Sequence, residues 1–171
     1  PSLFNDEALI PLLKRWDVPP KDAKNYAVTG CVYIEIPGKN MMRRSVGYFV
    51  LPKCLWWALH QGKNPKNGEQ RGARTPDPAS FKTWEDVLKA YVEQVRFFTD
   101  KIEQLERVNL ELYEKYCPRP FYSGVIDGCI EKGIDIMAGG TAPYATHCTL
   151  LAGAPNVGDS LAAIKKAVFE E

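Results

Sequence analysis

The chemistry this chain could perform centres on Cys31, which follows Gly30 inside the apolar, β-branched run NYAVTGCVYIEIPGK. Val28, Val32, Ile34 and Ile36 are strand formers and Pro37-Gly38 is a stop, so the thiol sits on a short buried strand or finger of backbone. By residue type alone the ordinary use of such a cysteine is as a small core hydrophobe, and a chemical use needs more of the sequence behind it. Tyr33 and Glu35 follow at two-residue steps. If the run is extended, Cys31, Tyr33 and Glu35 share one face, with the glutamate about 13–14 Å from the cysteine along the strand; it reaches the same atom only if the backbone turns. The five cysteines, at 31, 54, 117, 129 and 148, are odd in number and form no CxxC pair, and His60 and His147 are the only histidines. That pattern argues against a disulfide framework and a structural zinc site, and fits free thiols in a reducing compartment.

Positioning such a group falls to the elements around it. Asn5 and Asp6 are helix caps for EALIPLLKRW, with Pro11 tolerated early or kinking the helix, and a second short helix starts at Pro20. After the finger, VGYFVLPKCLWWALHQG reads as a buried helix ending at Gly62, with Trp56 and Trp57 as core packing rather than a cofactor box. Residues 63–82 are Gly/Pro-rich and read as an ordered excursion or lid; Arg71 and Arg74 there are either solvated charges or contacts for an anionic group. Thr83-Trp84-Glu85-Asp86 approximates a capping box. From it a long helix runs to Cys117 with an apolar stripe at Leu88, Tyr91, Val95, Phe98, Ile102, Leu105, Val108, Leu112 and Tyr116. Such a helix is about 50 Å long, more than a compact domain of radius of gyration about 16 Å accommodates, so it is one wall of something larger. Pro118 and Pro120 stop it. SGVIDGCIEKG is then a short helix closed by Gly133, IDIMAGG a strand into a glycine turn, TAPYATHCTLLAG an irregular loop, and LAAIKKAVFEE a helix capped by Asp159-Ser160.

Composition sets the outer limits. Apolar residues make up 45% and charged residues 25% of 171, and the formal net charge is +1. This is a soluble globular composition with no global field for nucleic acid or an anionic bilayer, and no stretch long and apolar enough to span one. The amino terminus lacks the regions of a signal peptide, so a cytoplasmic location is expected.

Four stretches together, PSLFNDEALIPLL, the YAVTGC finger with IPGK beyond it, FYSGVIDGCIEKGIDI with its AGG, and GDSLAAIKKAVFEE, resemble the glycyl radical enzymes of the pyruvate formate-lyase-like superfamily, over essentially the whole chain. The resemblance implies an α/β fold: a helix-rich segment, with short strands and a central cysteine finger, of the ten-stranded α/β barrel of those enzymes. Residues 1–171 are then part of the catalytic barrel domain, and the C-terminal glycine radical domain, with its RVxGY-like loop, is not matched. Cys31 corresponds to the cysteine that carries the thiyl radical and abstracts substrate hydrogen. That chemistry needs one thiol and a dry pocket, where a polar nucleophile would need a base. The resemblance further implies no bound cofactor, a post-translational glycyl radical outside the segment, a small organic substrate, a radical-SAM activating enzyme, the remainder of the barrel as partner, and a homodimer.

Departures from the family pattern shape the expected reaction. Dehydratases and carbon–heteroatom lyases of the family carry glutamate two positions after the cysteine; here that position is Tyr33, a poor base near neutrality but a hydrogen-bond donor. Val32 in place of a second cysteine separates the chain from pyruvate formate-lyase itself. Where relatives read GGAxYN, this chain has GGTAPYATHC, which places Tyr144, His147 and Cys148 on an expected pocket wall, with His147 either a carboxylate-binding or acid group or a packing residue. Cys54, Cys117 and Cys129 read as structural. Tyr33, Glu35, Tyr144 and His147 are thus the expected pocket residues. The missing glutamate favours carbon–carbon cleavage or formation (decarboxylation, or addition to an unsaturated diacid) over the alternative of dehydration or carbon–heteroatom cleavage. A non-catalytic fragment or pseudo-enzyme subunit is the other reading, and the isolated segment is not expected to be competent.

Overall fold

The computed structural model describes residues 4–30, 33–40, 47–141 and 149–170. Along the chain come α1 (Asp6–Arg15), α2 (Pro20–Ala23), β1 (Ala27–Thr29), β2 (Tyr33–Glu35), β3 (Tyr48–Val50), α3 (Leu51–Ala58) and α4 (Trp84–Tyr116). After these follow α5 (Pro120–Ser123), α6 (Cys129–Lys132), β4 (Leu150–Ala152) and α7 (Ala154–Ile164). They fall in two compact units, one of Pro1–Ser45 with Val108–Cys148 and one of Val46–Arg107 with Thr149–Glu171.

In the first unit Asn5 caps α1, its side chain accepting from the Glu7 N–H at 2.8 Å; this satisfies one of the donors that a helix start leaves bare. Pro11 is accommodated inside α1. Leu13, Val18, Ala23 and Ile36 form a buried cluster, with Ile10, Tyr26 and Ile34 packed against it. The cluster ties both helices to an antiparallel hairpin in which Ala27 pairs with Glu35, Val28 with Ile34 and Thr29 with Tyr33. A second cluster gathers Ile126, Cys129, Ile136 and Met137, with Tyr113 of α4 against it. Gly133, in the left-handed region at φ 65°, closes α6 as the sequence indicates.

The expected strand at IDIMAGG is instead a single 3-10 turn, Ile136–Ala138. Its cause is Asp135, whose Oδ1 accepts from the Met137 N–H at 2.8 Å while its Oδ2 accepts from the Arg119 N–H and the Ser123 hydroxyl, both at 2.8 Å. A side chain that bonds its own downstream backbone substitutes for a ladder partner.

The second unit departs from expectation at three places. Tyr48–Val50 does not belong to the tryptophan helix: it is a strand, paired in parallel with Leu150–Ala152, where an irregular loop is expected. Helix α3 starts only at Leu51, with Pro52 in its first turn, where no N–H is needed. The last helix begins at Ala154, five residues before Asp159. Gly153 sits at its N-cap at φ 77°, where a Cβ would meet the Pro52 ring at 2.7 Å, and Ser160 is interior, its hydroxyl bonded to the Asn156 carbonyl.

Thr83 and Asp86 do cap α4 reciprocally: Thr83 N–H and Lys82 N–H donate to Asp86 Oδ2 at 2.9 and 3.0 Å, and Asp86 N–H donates to Thr83 Oγ1 at 3.3 Å. These bonds, from Lys82 and then Thr83, hold the Asp86 carboxyl below its usual range. The buried residues of α4 are Val87, Ala90 and Gln94, not the long stripe. Leu105, Val108, Leu112 and Tyr116 are half or more exposed, at 53, 52, 50 and 65%. Among the described residues no helix is long and apolar enough to cross a membrane.

Candidate active site

Cys31 lies between β1 and β2, in a connection of residues 30–32 of which Gly30 is described and Cys31 is not. Gly30 has φ 60°, and a Cβ there would touch the Tyr33 ring at 3.2 Å; the turn into the connection therefore requires glycine. Tyr33 and Glu35 are alternate residues of β2 and so share a face, about 7 Å apart. Both are half-buried. The chain reverses before Tyr33, so Glu35 is carried away from the connection by the strand rather than turned toward it. Tyr144 and His147, with Cys148, lie outside the described residues.

The base of the hairpin is held by bonds that link two of the sequence motifs. Ile36 N–H donates to the buried Asn40 Oδ1 at 2.7 Å, and the Ile36 carbonyl accepts from Lys39 and Asn40 N–H. One residue of the VIDG segment then meets the turn twice: Asp127 N–H donates to the Gly38 carbonyl at 2.8 Å, and the Asp127 carboxylate pairs with Lys39 Nζ at 2.7 Å. Hydrogen bonding to Asp127, then its charge, holds the Lys39 ammonium above its usual value. Beyond Asp127, Gly128 at φ 93° donates to Glu131 Oε2 at 2.9 Å and starts α6. Lys132 Nζ reaches the Thr141 carbonyl at 2.6 Å. A Cβ on Gly140 would lie 2.0 Å from the Ile134 carbonyl oxygen, so the segment leading toward Tyr144 and His147 approaches as close as backbone allows. Burial raises the Asp135 carboxyl, but bonds from Met137, Ser123 and Arg119 outweigh it and leave the group below the usual carboxylate range. Lys39, Asn40, Asp127 and Asp135 were not singled out from the sequence. Opposite charges at 39 and 127 were legible, but nothing local signals that residues so far apart in the chain meet.

The other candidates stand elsewhere. Cys54 is buried and burial pushes its thiol up to about 11, which makes it inert; Cys129 is buried, and desolvation followed by the Asp135 charge raises it too. Cys117 is exposed rather than packed. Trp56 and Trp57 are half-buried: Lys53 Nζ sits 3.4 Å over the Trp56 ring, His60 stacks on it at 4.3 Å, and Trp57 tilts against Phe98. Arg71 pairs with Glu69 at 2.8 Å on the surface. Arg74 lines an open cleft of about 450 Å³ with Gln61, Lys63 and Thr75.

Comparisons with known proteins match the whole chain. The Pyruvate formate lyase-like family profile matches residues 1–171, and the chain belongs to that family. It is 33% identical over 171 residues to the trans-4-hydroxy-L-proline dehydratase of Clostridioides difficile, and 32% identical over 177 to the isethionate sulfite-lyase of Desulfovibrio desulfuricans. The glycerol-bound structure of the B12-independent glycerol dehydratase of Clostridium butyricum superposes with a TM-score of 0.94 at 31% identity. Each comparison covers all of this chain, which spans 21% of each relative's length. The fold is accordingly a helix-rich segment of the α/β barrel of glycyl radical enzymes. These relatives are two dehydratases and a sulfite-lyase. Relatives of these kinds fit the alternative of dehydration or carbon–heteroatom cleavage better than the carbon–carbon chemistry expected from Tyr33.

Proposed function

We propose that this chain supplies the cysteine finger of a glycyl radical lyase that dehydrates, or cleaves a carbon–heteroatom bond in, a small polar organic substrate, with Cys31 as the hydrogen-abstracting thiol. The observation that carries the reading is the β1–β2 register, which leaves a three-residue connection containing Cys31 at the end of a hairpin. The Cys31 S–H bond is weak enough to exchange a hydrogen atom reversibly with a substrate carbon, and a single thiol suffices. Tyr33 would donate a hydrogen bond to a substrate hydroxyl or to the departing group; Tyr144 and His147 are the pocket candidates that would take over the proton handling the family resemblance assigns to a glutamate at this position, since β2 carries Glu35 away from the connection. The exposed apolar side of α4 from Leu105 to Tyr116 would face the remainder of the barrel. Storage of the radical and its installation by an activating enzyme belong to parts outside this segment.

The test is anaerobic activation of the full-length enzyme, electron paramagnetic resonance (EPR) to count glycyl spins, and turnover of trans-4-hydroxy-L-proline, isethionate, glycerol and 1,2-propanediol. Cys31→Ala should keep the glycyl signal and lose turnover by at least about 10³-fold. Normal turnover by that variant refutes the assignment. Tyr33→Glu should gain or improve dehydration if the proton-handling argument holds.

A further inference from the structure

The IPGK and VIDGC motifs are not absorbed by the hydrogen-transfer chemistry, yet they touch each other at the base of the finger. We propose that the Lys39–Asp127 pair is the positioning device of the hairpin: it sets the angle at which the finger presents Cys31. This inference rests on the Cys31 reading.

Strands β1 and β2 have three residues each, and an isolated two-stranded ribbon of that size has no fixed direction of its own. Its core contact, through Ile34 and Ile36, fixes one side of the base. The turn at residues 37–40 fixes the other, and it meets the VIDG segment at two atoms of one residue, the Asp127 N–H on the Gly38 carbonyl and the Asp127 carboxylate on Lys39. Two contacts from one residue restrain rotation where a single bond would act as a hinge. The ion pair is partly exposed, with side-chain accessibilities of 35 and 63%. At such exposure it adds little to stability, so its use lies in direction. From Ile36 to Tyr33 the strand extends about 10 Å, and a tilt of about 6° at the base shifts Tyr33, and the connection beyond it, by about 1 Å. A misplacement of about 1 Å at a reacting group can cost about 10²-fold in rate.

The experiment needs no knowledge of the substrate. Thiol hydrogens exchange with solvent, so in D2O the Cys31 sulfur carries deuterium. When a deuterium atom passes from sulfur to the glycyl carbon, the S–D bond breaks, a C–D bond forms and the unpaired electron is left on sulfur; the reverse transfer removes either the hydrogen or the deuterium from that carbon. Deuterium therefore accumulates at the glycyl carbon, and the EPR doublet of the activated full-length enzyme collapses to a singlet at a rate that reports how well the finger is aimed. Lys39→Met should slow this collapse about 10-fold or more while leaving glycyl spins per protomer unchanged. Lys39→Arg, and the exchanged pair Lys39→Asp with Asp127→Lys, should restore it to within about threefold of wild type. Wild-type collapse in Lys39→Met, equal slowing in the exchanged pair, or loss of spins in proportion to the slowing would each overturn the positioning role. Cys31→Ala separates the two readings: it must abolish the collapse, and collapse in that variant sinks the Cys31 assignment whatever Lys39 does.

Discussion

Replacing Gln94 by glutamate tests how the loop before α4 is held. Gln94 is fully buried, at 0% exposure, and treats Ala73 as a strand neighbour would: its Oε1 accepts from the Ala73 N–H at 3.0 Å and its Nε2 donates to the Ala73 carbonyl at 2.7 Å, with Thr75 Oγ1 beyond at 3.5 Å. A protonated carboxyl can reproduce both bonds, but an ionised one cannot donate. The folded loop therefore binds a proton that the opened loop, with a side-chain pKa of about 4.3, does not hold at neutrality. Holding that proton costs about 3.7 kcal/mol at pH 7 and about 1 kcal/mol at pH 5. The sign is that of a raised folded-state pKa: the bond is fully present below the opened-state value and is lost as pH rises. Hydrogen–deuterium exchange of the peptide spanning residues 62–75, corrected for intrinsic pH dependence, should be faster in Gln94→Glu by up to about 500-fold at pH 7 and about sixfold at pH 5. An acceleration below threefold at pH 7, or one that does not shrink toward acid, would refute the reasoning.

Two further outcomes follow from the same kind of argument. Asp135→Asn should destabilise the packing of α5 against the 136–138 turn. Because the Asp135 carboxyl sits below its usual range, the difference from wild type should be full above about pH 4 and vanish as pH falls through and below that value, as read by protection of residues 119–138. At pH 8 a thiol with a pKa of about 11 is ionised to about one part in 10³, so iodoacetamide should label Cys54 at least about 100-fold more slowly than Cys117, measured peptide by peptide. Comparable rates would show that α3 opens readily.

Local rules read from the sequence held where the partner was local. Thr83 with Asp86, Asn5 with Glu7, and Gly133 at the end of α6 each needed only a neighbour three residues away or fewer. Distance defeated the rest. The β3–β4 pairing joins segments a hundred residues apart, and although Asp135 caps the turn at Ile136 locally, its bonds to Ser123 and Arg119 come from far along the chain and no period in IDIMAGG encodes them. The apolar stripe does not mark the residues that this chain itself buries on α4. Its buried residues are instead Val87, Ala90 and Gln94, since the loop backbone comes so near that a Cβ on Gly72 would lie 2.3 Å from Gln94 Oε1. Of the site, the finger and its stop were legible, whereas the brace at Asp127 was not.

Gln70 repeats what Gln94 does: its single amide nitrogen reaches the carbonyls of Gln61 and Gly72 at 3.0 and 2.9 Å. Carboxamides do not titrate and carry no net charge, so these bonds, unlike the surface Arg71–Glu69 pair of the same excursion, should persist in acid and in concentrated salt alike. The turn at Lys39 is fastened by opposite charges in reach of solvent and will slacken under both. One molecule thus contains a fastening deaf to ionic conditions and another that listens to them, and the second is the one at the base of the β1–β2 hairpin.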